Sequence, residues 1–292
     1  MAKVFGINTK IRGKVGEYIY RQTKVGTVIS EAPVKPVTPR RSQQQMNIRT
    51  QWANLGAIYK QFDSMLRRGF EELPPHMSVY NAFIQANLGV VKVYITRLMR
   101  INGGAILAPY QITRGSLPSI SMAKNASNIL VSSVRLGTLT ISATTTVAQF
   151  SQAVIDNNTS FLEGDQLTFF HGRQSVDAVT RTPRATITGY KVVLNTADDT
   201  PLWNVVDRIG FSVADNCLAT SEQITNGAAV WVHSRETADN TLKVSTQFFF
   251  VENSALATYQ SNSAILASVN SYGGINSAAV YLQPELNATV TP

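Results

Sequence analysis

Three histidines, one cysteine, one Ser-x-x-Lys run and one pair of adjacent aspartates are the residues whose types and spacing bear most directly on chemistry. His76, His171 and His233 lie far apart, none in an HExxH pattern or at i, i+4 spacing, so no zinc site is indicated. They read as isolated histidines at the surface or partly buried. "SMAK" (121–124) matches the SxxK of serine acyltransferases, but the SDN and KTG partners of that arrangement are absent. Asp198-Asp199 in "NTADDTPLW" reads as an acidic surface turn before it reads as a cation site. Cys217 in "VADNCLATS" has no basic neighbour in sequence to activate a thiolate, and is expected to be buried and inert. A single cysteine also excludes an internal disulfide and a Cys-based metal cluster. No GxSxG, P-loop or GxGxxG occurs. The expectation is a protein that is not an enzyme, with no catalytic residue, cofactor or metal.

Charge points elsewhere. The net charge of the 292 residues is +8, but residues 1–120 hold 17 Lys/Arg against five Asp/Glu, a net of +12. The rest of the chain holds nine against 13, a net of −4. A basic front joined to a mildly acidic back implies a polyanion or an acidic partner for the front. No run of about 18 apolar residues occurs, so no membrane helix is expected. The opening "MAKVFGINTKIRGK" has no apolar segment of the kind a secretory leader carries, and synthesis in a reducing cytoplasm is expected.

The elements that must present this charge follow from local pattern. Residues 1–14 alternate cations with glycines, as an arm that lies flat on a surface would. Glu17–Arg21 and Thr27–Ser30 are β-rich runs around "QTKVG" and predict a hairpin, with Tyr18 and Tyr20 on one face. A lone two-stranded ribbon is marginal in water, so it requires a partner surface. Pro33, Pro36 and Pro39, at three-residue spacing, predict an extended strap. Ser42–Leu73 is the strongest helix pattern: Ser42 and Gln45 suit a capping box, and Trp52, Leu55, Tyr59, Phe62, Leu66 and Phe70 recur at helical spacing. A second helix is predicted over Ser78–Leu88, stopped by Gly89, and a strand over "VVKVYITRLMRING". Beyond about residue 125, short β-rich segments recur every ten or so residues, including a hairpin turning at Asp239-Asn240. Helical interruptions are predicted near 147–157 and 254–268. The fold class expected is α+β. Residues 1–41 form a basic arm, β-ribbon and strap, and 42–120 a helical anchoring domain of one or two helices. Residues 121–292 form a C-terminal antiparallel β-sandwich, Ig-like in kind.

The order of "GKVGEYIYR", "TPRRSQQQMNIR", an aromatic helix and "YQITRGSLP" resembles a domain family of gut Bacteroidota genomes and of the crAss-like phages that infect them. Its phage members resemble auxiliary capsid proteins bound to an HK97-type shell. The family's glycine-punctuated aromatic-basic strand matches Gly13, Lys14, Gly16, Tyr18, Tyr20 and Arg21. Thr38, Gln43, Gln44 and Arg49 match a second block, and Arg114–Pro118 a third, where Arg114 replaces the usual Ser or Lys. The resemblance covers roughly the first 120 residues and implies a structural virion protein that decorates or cements a capsid. Its partner would be the major capsid protein, together with other copies of itself. Attachment is then expected through Arg12, Lys14, Tyr18, Tyr20, Arg21, Arg40 and Arg41. The alternative that the residues leave open is a nucleic-acid-binding protein, with Lys and Arg on phosphates and the tyrosines stacking.

Overall fold

The computed structural model describes residues 2–4, 12–23, 26–32, 43–62 and 69–272. The chain is α+β. It begins with four short strands, β1 (Ala2–Val4), β2 (Gly13–Val15), β3 (Tyr18–Thr23) and β4 (Gly26–Glu31), joined as an antiparallel sheet in the order β1-β4-β3-β2. Helices α1 (Gln43–Phe62), α2 (Val79–Asn87) and α3 (Arg97–Ile101) follow, then β5 (Gln111–Thr113), β6 (Met122–Lys124) and β7 (Ile129–Arg135). Helix α4 (Val147–Asn157) leads into the long strands β8 (Gln166–Val176) and β9 (Pro183–Val193). The chain continues through β10 (Ser212–Ala214), β11 (Cys217–Gln223), β12 (Gly227–Glu236), β13 (Leu242–Val244), β14 (Gln247–Phe248) and β15 (Phe250–Glu252). Helices α5 (Leu256–Gln260) and α6 (Asn262–Ser271) close the described chain.

Two antiparallel sheets make the body, β13-β12-β8-β9 with β15 also on β12, and β10-β11-β7-β6. Strand β12 explains the layering. Its first eight residues are buried without alternation, although successive side chains leave a strand on opposite faces. Ala228, Val230 and Val232 meet one apolar cluster with Phe170 and Ile187, and Ala229 and Trp231 meet another with Phe169 and Leu167. Both faces of the larger sheet are therefore covered. Helix α1 covers the first face, with Phe62 edge-on to Phe170 (ring centroids 5.5 Å apart) and Phe249 beside it. The smaller sheet and α4 cover the second, where Phe169 packs on Trp231 and Phe211, and the Trp231 indole donates to Gly210 O at 2.8 Å. The helical stretch and the β-region thus share a core. Each fully buried aromatic or aliphatic side chain contributes about 1.5–3 kcal/mol by leaving water.

Several predicted elements appear where the pattern placed them. Helix α4 starts from a capping box of Thr146 and Gln149, and α2 is capped by Ser78 accepting from Asn81 N–H. Gly89 has the positive φ (84°) expected after a helix end, and β12 and β13 pair around a turn in which Asn240 has φ 56°. Two expectations fail. The predicted helix to Leu73 is described only to Phe62; Ser42 of the predicted capping box lies outside the described residues. Phe70 is not helical: it bridges Arg114, and Gly69 O and Glu71 N both bond that residue's backbone. Its helical spacing was coincidental, because an apolar residue in a β-bridge satisfies the same pattern. The predicted strand over 90–103 is also absent. Val91, Val93, Tyr94 and Ile95 are buried without joining a sheet, and α3 occupies 97–101. That segment is held instead by α5 and α6, through Tyr94 N–H to Tyr259 O at 3.0 Å and Ser268 Oγ to Ile95 O at 2.8 Å. A short apolar run reports burial, not pairing.

Candidate functional site

The N-terminal sheet is wider than the hairpin its sequence suggests. Val15 pairs with Tyr18, leaving Gly16-Glu17 as a two-residue loop in which Gly16 takes φ 59°. Such loops need a positive φ to match strand twist, and glycine adopts it without cost from a Cβ. Register then sorts the side chains. Tyr18 lies opposite Val15 and Glu31, and Tyr20 opposite Gly13 and Ile29. Ile19 lies opposite Lys14 and Ser30, and Arg21 opposite Val28. Directly paired residues share a face, so one face gathers Val15, Tyr18, Tyr20 and Ile29 with Glu31 at its end, while Lys14 and Arg21 stand on the other beside Ile19 and Val28. Val15 is 58% and Tyr18 49% exposed, and no described ribbon residue belongs to the three apolar clusters.

Of the seven residues expected to make attachments, Arg12, Lys14, Tyr18 and Arg21 are exposed and Tyr20 is half-buried. Arg40 and Arg41 lie outside the described residues. Tyr18 and Tyr20 stand on one surface and Lys14 and Arg21 on the other, as alternation along the strand predicts; strand pairing adds Val15 and Ile29 to the tyrosine side.

A second surface lies on the helices. Trp52, expected on the buried side of α1, is 40% exposed; Leu55, Ile58, Tyr59 and Phe62 form the buried side. Trp52 donates its indole N–H to the Tyr80 hydroxyl (2.7 Å) and, with Ile48, Arg49 and Arg100, lines a groove of about 360 Å³ between α1 and α3. Leu98 and Ile101 of α3 are also exposed, and no described carboxylate pairs with Arg49, Arg97 or Arg100. Spacing gave no warning: at about 100° per residue Ile48 lies about 20° and Trp52 about 60° from Leu55, on the same stripe, and only the packing of the rest of the chain leaves them uncovered.

The "RGSLP" stretch has a structural task. Arg114 lies over the Phe70 ring, 5.7 Å from its centroid. Ser116 N–H donates to Glu71 Oε2 at 3.1 Å, and Val244 N–H donates to Glu71 Oε1. Gly115 sits where a Cβ would collide with both that carboxylate and Val244 O. Gly115→Ala is expected to lower stability by about 1–3 kcal/mol, as overpacked sites do. Urea denaturation of the variant beside the parent checks this, and a change below about 0.5 kcal/mol contradicts it.

The residues weighed for chemistry resolve individually. Ser121 immediately precedes β6 and Lys124 ends it, and three residues apart on extended chain places them on opposite faces. Lys124 is engaged with Glu252 at 2.5 Å. Asp198 accepts from Thr200 N–H at 2.9 Å, and the Thr200 hydrogen bonds hold its carboxyl below the usual range. Cys217, expected inside, is only half-buried. His76 is exposed, but His171 and His233 are buried, because both lie on the side of the larger sheet that carries Phe169 and Trp231. Among the described residues, no group of three or more His, Cys, Asp or Glu side chains comes together as a metal site.

His233 belongs to a buried polar cluster that spacing did not announce. Its Nε2 donates to Asp165 Oδ2 at 2.7 Å, and Phe161 stacks on its ring at 4.1 Å. Arg235, two residues on and therefore on the same face of β12, grips both Asp165 oxygens at 2.6 and 2.7 Å and donates to Ser160 O. Leu162 N–H adds a fourth bond to the carboxylate. Burial alone would push the Asp165 carboxyl up, but the bonds from Arg235 and His233 outweigh it and hold it at about 2. The cluster ties the loop after α4 to the larger sheet.

Comparison with known proteins found no matching family model, no matching curated protein and no matching solved structure.

Proposed function

We propose that this chain is a structural virion protein, an auxiliary capsid protein of the cement or decoration kind. In this reading the N-terminal ribbon clamps onto major capsid subunits. The observation that carries the reading is the ribbon itself, whose Val15–Tyr18–Tyr20–Ile29 face lies outside every apolar cluster of its own chain. An aromatic face needs an apolar surface, and the cationic face behind it suits an acidic one. Arginine and aromatic side chains at the α1–α3 groove offer the same pairing of chemistries to a neighbouring subunit. Repetition over a symmetric shell multiplies modest contacts by avidity. The two antiparallel sheets around one core support an Ig-like sandwich as the projecting part. Among the described residues no helix is long and apolar enough to cross a membrane.

A second reading rests on Lys14 and Arg21 sharing one face: a basic strip able to follow phosphates, in a protein packaged with the genome or acting on it. Quantitative mass spectrometry of gradient-purified particles, before and after nuclease treatment of opened shells, separates the two. The expected result is a copy number in simple ratio to the major capsid protein, unchanged by nuclease. Loss with the DNA would favour the second reading, and absence from particles would sink both.

A further inference from the structure

Strands β8 and β9 carry a polar cleft of about 540 Å³ that no attachment role employs, a volume within the range of small-molecule sites. Its floor is set by register. His171 lies opposite Thr188, Arg173 opposite Thr186 and Phe169 opposite Tyr190, so all six share the face that the core residue Phe169 occupies. Toward β11 and the short turn at Arg208–Gly210 that face is open instead of packed, and Asp207, Arg208, Ser221 and Glu222 form the walls.

Two observations indicate a ligand. His171 is only 8% exposed, lines the cleft, and has no hydrogen bond from either ring nitrogen to a described protein group. Neither ring nitrogen is closed off from the cleft, so both are available to a molecule lying in it. The side-chain hydroxyls of Thr186, Tyr190 and Ser221 likewise line the cleft without a protein partner among the described residues.

The charges select the ligand class. Arg173 and Arg208 are matched by Glu222, 4.0 Å from Arg173, and by Asp207. Burial, followed by the nearby Arg173, pushes the His171 imidazole below its ordinary range, so it is neutral near pH 7 and presents one donor and one acceptor. An anion would meet two carboxylates here and a cation two guanidiniums. A neutral molecule rich in hydroxyls meets donors and acceptors in balance.

We propose that this cleft binds a neutral saccharide, with His171, Thr186, Tyr190 and Ser221 bonding its hydroxyls. The proposal is independent of how the chain attaches to its partner. The test applies the full chain to an array of neutral glucose, mannose, galactose and xylose oligosaccharides beside sulfated and sialylated counterparts. Titration calorimetry with the best binder follows. Binding confined to neutral glycans is expected, with affinity falling at least tenfold in His171→Ala and in the exposed double variant Thr186→Val/Ser221→Ala. The double variant should keep the parent melting temperature, so the test survives if His171→Ala does not fold. No binding on the array, a preference for anionic glycans, or undiminished affinity in the folded double variant would overturn it.

Discussion

Deleting residues 1–41 is expected to remove the protein from purified particles while the remaining chain keeps its cooperative melting transition. The physical basis is the separation of tasks. Every residue of the three apolar clusters lies at or beyond Met46, so the deletion takes away no described core contact. It does remove the aromatic and cationic faces together, and paired substitutions divide their contributions. Val15→Asp with Tyr18→Asp places charge on the aromatic face and is expected to lower particle occupancy more than tenfold. Buried aromatic anchors usually carry most of an interface's energy. Lys14→Ala with Arg21→Ala is expected to act mainly on association rate and to weaken salt dependence, as rim charges do. Co-sedimentation with particles at two salt concentrations reads both outcomes. If the truncated chain sediments at the parent copy number, the ribbon is not the anchor.

The second large effect concerns stability. Asp165→Ala leaves Arg235 and His233 facing a vacated site in a region where Asp165 and His233 side chains are each only 1% exposed. Breaking a buried ion pair from one side costs about 3–5 kcal/mol, and most of that should appear as a lower urea midpoint. Asp165→Asn keeps the shape, loses the charge and should cost less. The parent's acid sensitivity has the same origin. Because the folded-state carboxyl is held at about 2, below its ordinary 3.8, its contribution is complete above about pH 4. It is lost as pH falls through about 2, an amount of about 2 kcal/mol. Urea melts of the parent between pH 7 and pH 2 should show that decline, and Asp165→Asn should flatten it. Equal acid slopes in the two proteins would refute the assignment.

How far the chain could be read in advance depended on the range of the interactions. Helix α4 was legible because Thr146, Gln149 and the apolar spacing of Val147, Phe150 and Val154 all act within one helix. The ribbon was legible as a hairpin from the runs Glu17–Arg21 and Thr27–Ser30, but not as a four-stranded sheet. The pairing of Gly13–Val15 depends on a glycine turn, and that of Ala2–Val4 on a partner far along the chain. Val91–Ile95 misled because burial without pairing, Val91, Val93 and Ile95 in the core beneath α1 and Tyr94 against α6, leaves the same apolar pattern as a strand. Phe70 misled for a similar reason, since its position at helical spacing belonged to a bridge with Arg114.

By itself, the sequence determined the charge division between front and back, the α+β class and the helices whose caps and periodicity are local. It also supplied every residue of the ribbon's two faces. Alternation placed Tyr18 and Tyr20 together, and strand pairing alone decided that Val15 and Ile29 join them while Lys14 joins Arg21. Tertiary structure decided that the helical stretch covers one side of the larger sheet, that Asp165, His233 and Arg235 meet, and that His171 lies at the floor of a cleft. Capping, turn chemistry and helical periodicity act over a few residues and leave a mark in spacing. Register, layer packing and buried polar clusters join residues tens of positions apart, and the energy that selects them exists only once the chain has closed on itself.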